Sequence, residues 1–325
     1  MFLDGDGTQT PPGNTTPVIS DFAVEDVRTL AAQPEPFFLW VSHVAPHGAT
    51  YLSEDETSAT WGAAKPTAEH STVLGGVPSP ALGKPSFLVV TPPPNPYPVL
   101  SSWPLSRRDL QTYFTARIRT LQDVDDGLER LVAVLRETGE LDNTYLFFVS
   151  DNGHLLGEHR ILAKNVLYHG ALEVPLLVRV PGASAGWTSD VPVTLVDLTP
   201  TIVELAGATA GRTIDGQSFA PLLRRQPVRW RDTQLVQTGG DRTTGPEPGW
   251  TTRGVWTSRY TYFRRSVDGV EFLSDRLKYP YEVVNVASRA SYRPILSELR
   301  RRQQALVNCS GATCARVFGP VPPHR

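Results

Sequence analysis

No apolar run in the 325 residues approaches the roughly 20 that a transmembrane helix needs, so no membrane span is expected. Charge of either sign is not in excess. Lys and Arg number 31 against 33 Asp and Glu, a net charge of -2, which argues against nucleic acid and against a charged membrane surface as partners. Cysteine is scarce, with Cys309 and Cys314 alone, so a disulfide-dense scaffold is excluded. No other metal ligand stands beside them in NCSGATCARV, which argues against a zinc site. A pair this close, across Ser, Gly, Ala and Thr, suits one small disulfide loop, with two free thiols as the alternative. The only methionine is Met1. The opening MFLDGDGTQTPPGNTTP lacks the basic end and apolar run of a signal peptide, and LDGDG reads as a loop. Met1 reads either as a true start or as a position inside a longer gene.

Proline and glycine are plentiful, at 29 and 26, which predicts long ordered loops. Asn14-Thr15-Thr16 and Asn308-Cys309-Ser310 fit the glycosylation triplet, a pattern that also arises often by chance. Three runs read as buried strands: PFFLWVS (36–42), TYLFFVS (144–150) and VPLLVRV (174–180). Runs apolar on both faces suit a parallel sheet covered by helices. The stretch 107–138 predicts a long helix, with Phe114, Ile118, Leu121, Leu128, Val132 and Leu135 as its apolar face and Gly139 as its stop. In LTPTIVELAG, Thr199 is placed to cap, Pro200 to take the first helical position and Gly207 to close the helix. Residues 50–106, with TPPPNPYP, show no period and are too long for a plain connection, so they read as a functional excursion. Beyond Pro227, GVWTSRYTYFRRSVDGVEFL predicts a hairpin turning at Asp268-Gly269. YRPILSELRRRQQALV predicts a terminal helix with Ile295, Leu299 and Leu306 inward. The division is therefore a larger α/β part, 1–226, and a small α+β part, 227–325.

Chemistry concentrates at strand ends. SDNGHLLGEHR follows the second strand without a break, and the carboxyl ends of strands in an open α/β sheet deliver residues to the ligand crevice. Asp151 and Asn152 offer hard oxygen donors of the kind calcium or magnesium takes. Taken alone, SDNG reads as an Asx turn. Lys164 lies thirteen positions after Asp151, beyond the polar GEHR, and the first strand ends in VSHVAPH with His43 and His47. Metal-type oxygens, a lysine and imidazoles together suit a tetrahedral oxyanion. His70 and His324 read as structural.

With these segments in view, the sequence resembles the sulfatase family of the alkaline-phosphatase-like superfamily, in the manner of bacterial arylsulfatases and glucosamine-6-sulfatases. The resemblance is carried by PFFLWVSHVAPH, by YLFFVSDNGHLLGEHRILAKNVLYHGALEVPLLVRVPG, and by VTLVDLTPTIVELAG, IDGQSFAPLL and GVWTSRYTYFR. It implies an alkaline-phosphatase-like α/β sandwich with a mostly parallel sheet, incomplete at the N-terminus, plus a small C-terminal antiparallel sheet with a helix. It implies Asp151 and Asn152 as part of a calcium site, with magnesium as the alternative ion. Lys164 would hold the sulfate, and His47 would stand beside the scissile ester oxygen. His154 would line the pocket, and His159 is a second substrate-binding candidate. Where the family often has an acidic residue after Tyr168 this chain has His169, which receives no role.

The family's Cys/Ser-x-Pro-x-Arg signature, the source of its formylglycine nucleophile, is not found in the sequence, and its paired N-terminal aspartates have no match. The expectation is a chain starting inside a catalytic domain and inactive alone, whose full-length form is a sulfuric ester hydrolase acting on aryl or sugar sulfates. The alternatives are a noncatalytic remnant that binds a sulfated glycan or a partner, and a related phosphomonoester or phosphodiester hydrolase. Ala49 to Lys84 would set the substrate. The expected partner is a sulfated small molecule or glycan. The expected location is extracellular, periplasmic or at the cell surface.

Overall fold

A computed structural model describes residues 2–4, 7–9, 14–52, 59–90, 106–184, 186–239 and 250–323. TPPPNPYP and His324 lie outside them. The chain forms two compact units, each made of segments distant in sequence. The first comprises 1–82, 106–146 and 179–183, and the second 83–105, 147–178 and 184–325. The sequence boundary at 226/227 falls within the second unit.

The first unit begins with β1 (Phe2–Asp4) and β2 (Gly7–Gln9), an antiparallel pair where the sequence reads as a loop. Next comes α1 (Thr15–Ala31), which the sequence reading missed. Asn14 caps it by accepting from Thr16 N at 3.0 Å, while its Nδ2 donates to Lys65 O at 2.8 Å. The amide nitrogen of that glycosylation triplet is thus already engaged. A hairpin follows, β3 (Ala49–Leu52) with β4 (Ala59–Gly62), inside the stretch that shows no period.

The long helix α2 (Arg107–Glu137) forms as expected, capped by Ser106, whose Oγ accepts from Asp109 N. Its buried face differs from the expected one. Of the expected residues only Leu135 is buried, while Phe114, Ile118, Leu128 and Val132 are half-buried and Leu121 is exposed; Leu110, Tyr113, Thr120, Val124, Gly127 and Val134 are buried instead. The reason is close helix contact. α1 packs on α2, and a Cβ on Gly127 would stand 2.1 Å from Ser20 Oγ, so small residues rather than large apolar ones mark the contact face. Val24, Val27, Val134 and Leu135 form the core there, with Phe37 and Leu39 against it.

The segment 36–42 is extended but pairs with no strand among the described residues. Phe37 and Leu39 face the core, while Phe38 and Trp40 are 65% and 80% exposed. The reading of a strand buried on both faces is therefore corrected. Period 2 sends alternate side chains to opposite faces, and only one face is covered here.

β5 (Leu146–Val149) pairs with β8 (Leu176–Arg179) where the second and third strands are expected, but neither is buried on both faces, since Phe148 and Leu177 are exposed. Between them lie β6 (Leu155–Leu156), β7 (Leu162–Ala163) and the single-turn α3 (His169–Leu172). The helix α4 (Leu198–Leu205) starts one residue before Thr199 and has no side-chain cap of its own; the capping box formed by Thr194 and Asp197 closes the 3-10 turn Leu195–Asp197 that leads into it. Asp197, fully buried, accepts from Thr194 N, Gln217 N and Arg231 Nη1 at 2.7–2.8 Å. A tertiary ion pair, invisible in local sequence, sets that boundary. After α5 (Ala220–Leu223) comes the expected small sheet. β9 (Thr233–Gly239), β10 (Trp250–Thr257), β11 (Tyr260–Arg265) and β12 (Glu271–Asp275) form an antiparallel sheet in the order β12-β11-β10-β9. Gly269, at φ 67°, sits in the β11–β12 turn. α6 (Arg293–Leu306) buries Ile295, Leu299 and Leu306 against Val255, Tyr262 and Leu273, each aliphatic side chain contributing about 1.5–3 kcal/mol. Cys309 and Cys314 form a disulfide. No helix among the described residues is long and apolar enough to cross a membrane.

Candidate functional site

β5 ends at Val149, and the chain turns at once. Ser150 Oγ donates to Asn152 O at 2.9 Å, the local bond expected of a Ser at a turn. Asp151 is exposed and Asn152 half-buried. Among the described residues neither side chain has a hydrogen-bond or ion-pair partner, so a carboxylate and an amide oxygen are left uncommitted at a strand end. Gly153 then anchors the turn. Its N–H donates to Ala171 O at 3.1 Å, and a Cβ there would lie 2.4 Å from Gly170 O. Only glycine permits that approach. The turn is thereby held against α3.

α3 is held in its turn by a residue far along the chain. His169 N donates to Glu282 Oε2 at 2.7 Å. Glu282 is 2% exposed and stands at φ 53°, a left-handed conformation costly for a side chain of this kind. Burial pushes its carboxyl pKa up. His169 Nε2 lies 2.5 Å from Glu173 Oε2, and its ring stacks on Trp256. No sequence pattern near Glu282 announces this task.

GEHR proves to be the tight turn between β6 and β7. Ile161 N donates to Glu158 O at 2.9 Å, and His159 and Arg160 both take positive φ, 53° and 58°. Two consecutive left-handed residues define a type I′ turn, which usually needs Asn and Gly. The surroundings hold it here. His159 N donates to Ser86 O at 2.8 Å, and the His159 ring stacks on Tyr168 at 3.8 Å. Glu158, 6% exposed, accepts from Leu156 N and Lys84 Nζ, each at 2.7 Å. The His159 ring is buried, and that burial lowers its pKa to about 4, so it is neutral at neutral pH and serves packing. Lys164 follows β7 directly and is half-buried. Its Nζ has no hydrogen-bond or ion-pair partner among the described residues. His154, half-buried, sits between Gly153 and β6. The second unit thus carries Asp151, Asn152, His154, His159 and Lys164.

His47 belongs to the first unit. It follows a cis Ala45–Pro46 bond, is exposed, and donates from N to Val44 O at 2.9 Å. Its Nδ1 lies 2.7 Å from Gly48 O. A carbonyl only accepts, so the proton is on Nδ1 and Nε2 is the acid–base end of the ring. Arg117 steadies the loop by donating to Pro46 O at 2.9 Å. His43 behaves differently. Its ring reaches α2 near Gly127, Nδ1 is buried without a hydrogen-bond partner, and burial lowers its pKa. The two histidines that follow this extended segment therefore do not share one task. Glu69, His70 and Asp126 present ligand atoms within 4.8 Å of one another. His70 Nε2 sits 2.7 Å from Asp126 Oδ2 and 3.8 Å from Asp123 Oδ1. The trio has donors for a divalent cation and stands equally as a latch between this loop and α2.

A sulfatase family model matches residues 7–208, and the model of the N-sulphoglucosamine sulphohydrolase C-terminal region matches 157–308. Goat (Capra hircus) N-acetylglucosamine-6-sulfatase is 34% identical over 244 residues, 65% of this chain and 43% of its own length. A solved structure bound to its substrate D-glucosamine-2-N,6-O-disulfate is 28% identical at a TM-score of 0.55, over 61% of this chain and 41% of that one. The phosphonate monoester hydrolase of Silicibacter pomeroyi is 20% identical at a TM-score of 0.68, over 93% and 63%, a likeness of fold. The chain spans less than half the length of the goat relative.

Proposed function

This chain belongs to the sulfatase family, and from that premise we propose that it carries the sulfate-holding and leaving-group side of a site that hydrolyses sulfate esters of sugars. The observation that supports this most is that one compact unit presents, at the end of β5 and just after β7, oxygens at Asp151–Asn152 and an ammonium at Lys164 that no other described residue engages. Lys164 would neutralise the sulfate oxygens. His47, protonated at Nε2, would give its proton to the departing alcohol oxygen and leave a neutral ring. His154 would line the pocket, and His159 would shape the turn that precedes Lys164.

The family is metal-dependent, and the donors fit. Asp151 and Asn152 are oxygen ligands of the type calcium prefers, two of its about six to eight, and magnesium would use the same atoms. Such an ion, when bound, supplies positive charge that polarises the sulfate oxygens. The sugar rather than aryl preference is supported by the goat relative's name and by the glucosamine disulfate bound in the solved neighbour. The Cys309–Cys314 bridge suits an oxidising compartment, so the proposed location is outside the cytosol.

The test is selectivity among leaving anions. A polypeptide containing this chain is assayed on a glucosamine 6-sulfate, the matching 6-phosphate and an aryl phosphonate. Preference for the sulfate, lost in Lys164→Ala and in His47→Ala, is the expected result. Preference for phosphate or phosphonate would reassign the chemistry. Sulfate binding with no turnover of any ester would leave a noncatalytic binder.

A further inference from the structure

The β6–β7 turn is made of residues that turn chemistry disfavours. His159 and Arg160 stand at φ 53° and 58°, the left-handed region where a side chain crowds its own backbone and glycine does not. Hairpin turns of this type favour Asn and Gly at both places. His159 has a packing reason to be there, since its ring stacks on Tyr168 at 3.8 Å. Arg160 has none. It is exposed, and its guanidinium has no hydrogen-bond, ion-pair or ring partner among the described residues. Its N–H donates to Gly157 O at 3.1 Å, a bond that glycine would make as well. The turn itself is braced. Leu88 N donates to Gly157 O and His159 N to Ser86 O, each at 2.8 Å. Glu158 gives Oε1 to Lys84 Nζ and Oε2 to Leu156 N, each at 2.7 Å. The carboxylate nearest to Arg160 along the chain is thus spent within the turn and leaves the arginine charge unanswered. Leu155 pairs with Ala163 and Leu156 with Leu162, so this hairpin carries Arg160 at its tip and Lys164 just past the end of β7. Four residues span at most about 14 Å, and both side chains are long.

We propose that Arg160 binds a second sulfate group, on the sugar next to the one whose sulfate lies at Lys164. The inference rests on the reading of Lys164 given above and adds a specificity-determining residue to it. The planar guanidinium fork offers two parallel N–H donors to two oxygens of a tetrahedral sulfate. A strained backbone position occupied by a side chain that stabilises nothing is the kind of feature that accompanies a binding role. A sugar with one sulfate would be held through Lys164 alone, and a chain with sulfates on adjoining sugars through both residues. The substrate class is then a multiply sulfated oligosaccharide rather than an isolated sulfated sugar.

The test is calorimetric titration of the whole chain, in calcium-containing buffer at low salt, with two disaccharides built on glucosamine 6-sulfate. One carries a second sulfate on the adjoining uronic acid and the other does not. In Arg160→Gly the affinity for the disulfated sugar should fall at least about tenfold, to that of the monosulfated sugar, while the monosulfated sugar binds as before. Because glycine suits φ 58°, the unfolding midpoint of this variant should equal or exceed that of the parent. Arg212→Ala removes the same charge from an exposed position elsewhere and should change neither affinity. Lys164→Ala should weaken both sugars. The inference is overturned if Arg160→Gly binds the disulfated sugar as tightly as the parent, or if it weakens both sugars equally. A lowered midpoint in Arg160→Gly would assign the side chain to stability and overturn it too. An unaltered Arg160→Gly beside a weakened Lys164→Ala contradicts this inference alone, whereas an unaltered Lys164→Ala contradicts the strand-end reading and this inference with it.

Discussion

Gly153→Ala would place a methyl carbon 2.4 Å from Gly170 O and 3.0 Å from both Ala171 C and Glu173 O. All three are backbone atoms, so relief requires moving the Ser150–Asn152 turn away from α3 rather than rotating a side chain. Overpacking of this kind costs about 1–3 kcal/mol. Loss of the 3.1 Å Gly153 N to Ala171 O hydrogen bond adds about 0.5–1.5 kcal/mol. The expected total is about 1.5–4.5 kcal/mol, a large part of the roughly 5–15 kcal/mol that a domain has. Urea unfolding should show a lower midpoint at an unchanged slope, and calcium affinity should fall with it, because the displaced turn carries Asp151 and Asn152. Gly76→Ala is the control, since nothing lies within 4 Å of its Cβ position. A Gly153→Ala protein with the midpoint and calcium affinity of Gly76→Ala would refute the idea that α3 holds the turn.

Asp197→Ala should destabilise by about 3–5 kcal/mol in denaturant unfolding, because it leaves the Arg231 guanidinium, 5% exposed, buried without its carboxylate. Burial raises the Glu282 pKa from 4.5; for an acid so shifted, stability falls as pH rises above the unfolded value. Glu282→Gln, neutral throughout and still able to accept from His169 N, should flatten that fall in the unfolding midpoint, and Glu282→Ala should destabilise at every pH. The His70 pKa is raised from 6.5, chiefly by its hydrogen bond to Asp126. Its contribution is therefore full below about 6.5 and lost as pH rises through the higher folded value, so His70→Gln should reduce the midpoint at pH 5.5 more than at pH 8.5.

Much of the fold was legible because local chemistry decides it. Gly139 stops α2, the Asp268-Gly269 pair marks the β11–β12 hairpin, and Ile295, Leu299 and Leu306 show the inward face of α6. Reading failed where a distant group decides. The start of α4 is fixed by Arg231 on Asp197, and the packed face of α2 is chosen by Gly127 against Ser20 rather than by the larger apolar residues beside it. At the candidate site, Asp151, Asn152 and Lys164 stood out by residue type and spacing. Glu282, 131 positions beyond Asp151, and Glu158, inside a turn that reads as merely polar, did not. Their roles come from burial, which sequence spacing does not display. His159 shows the converse, since its residue type suggests chemistry while its stacking on Tyr168 makes it part of the core.

The measurement that bears most directly on the account is the affinity of the chain for glucosamine 6-sulfate in calcium-containing buffer, compared between the parent and Lys164→Ala. A charge-assisted bond from lysine to sulfate is worth about 1.5–3 kcal/mol, so the account predicts a loss of about 10- to 100-fold. Equal affinity in the two proteins would contradict it.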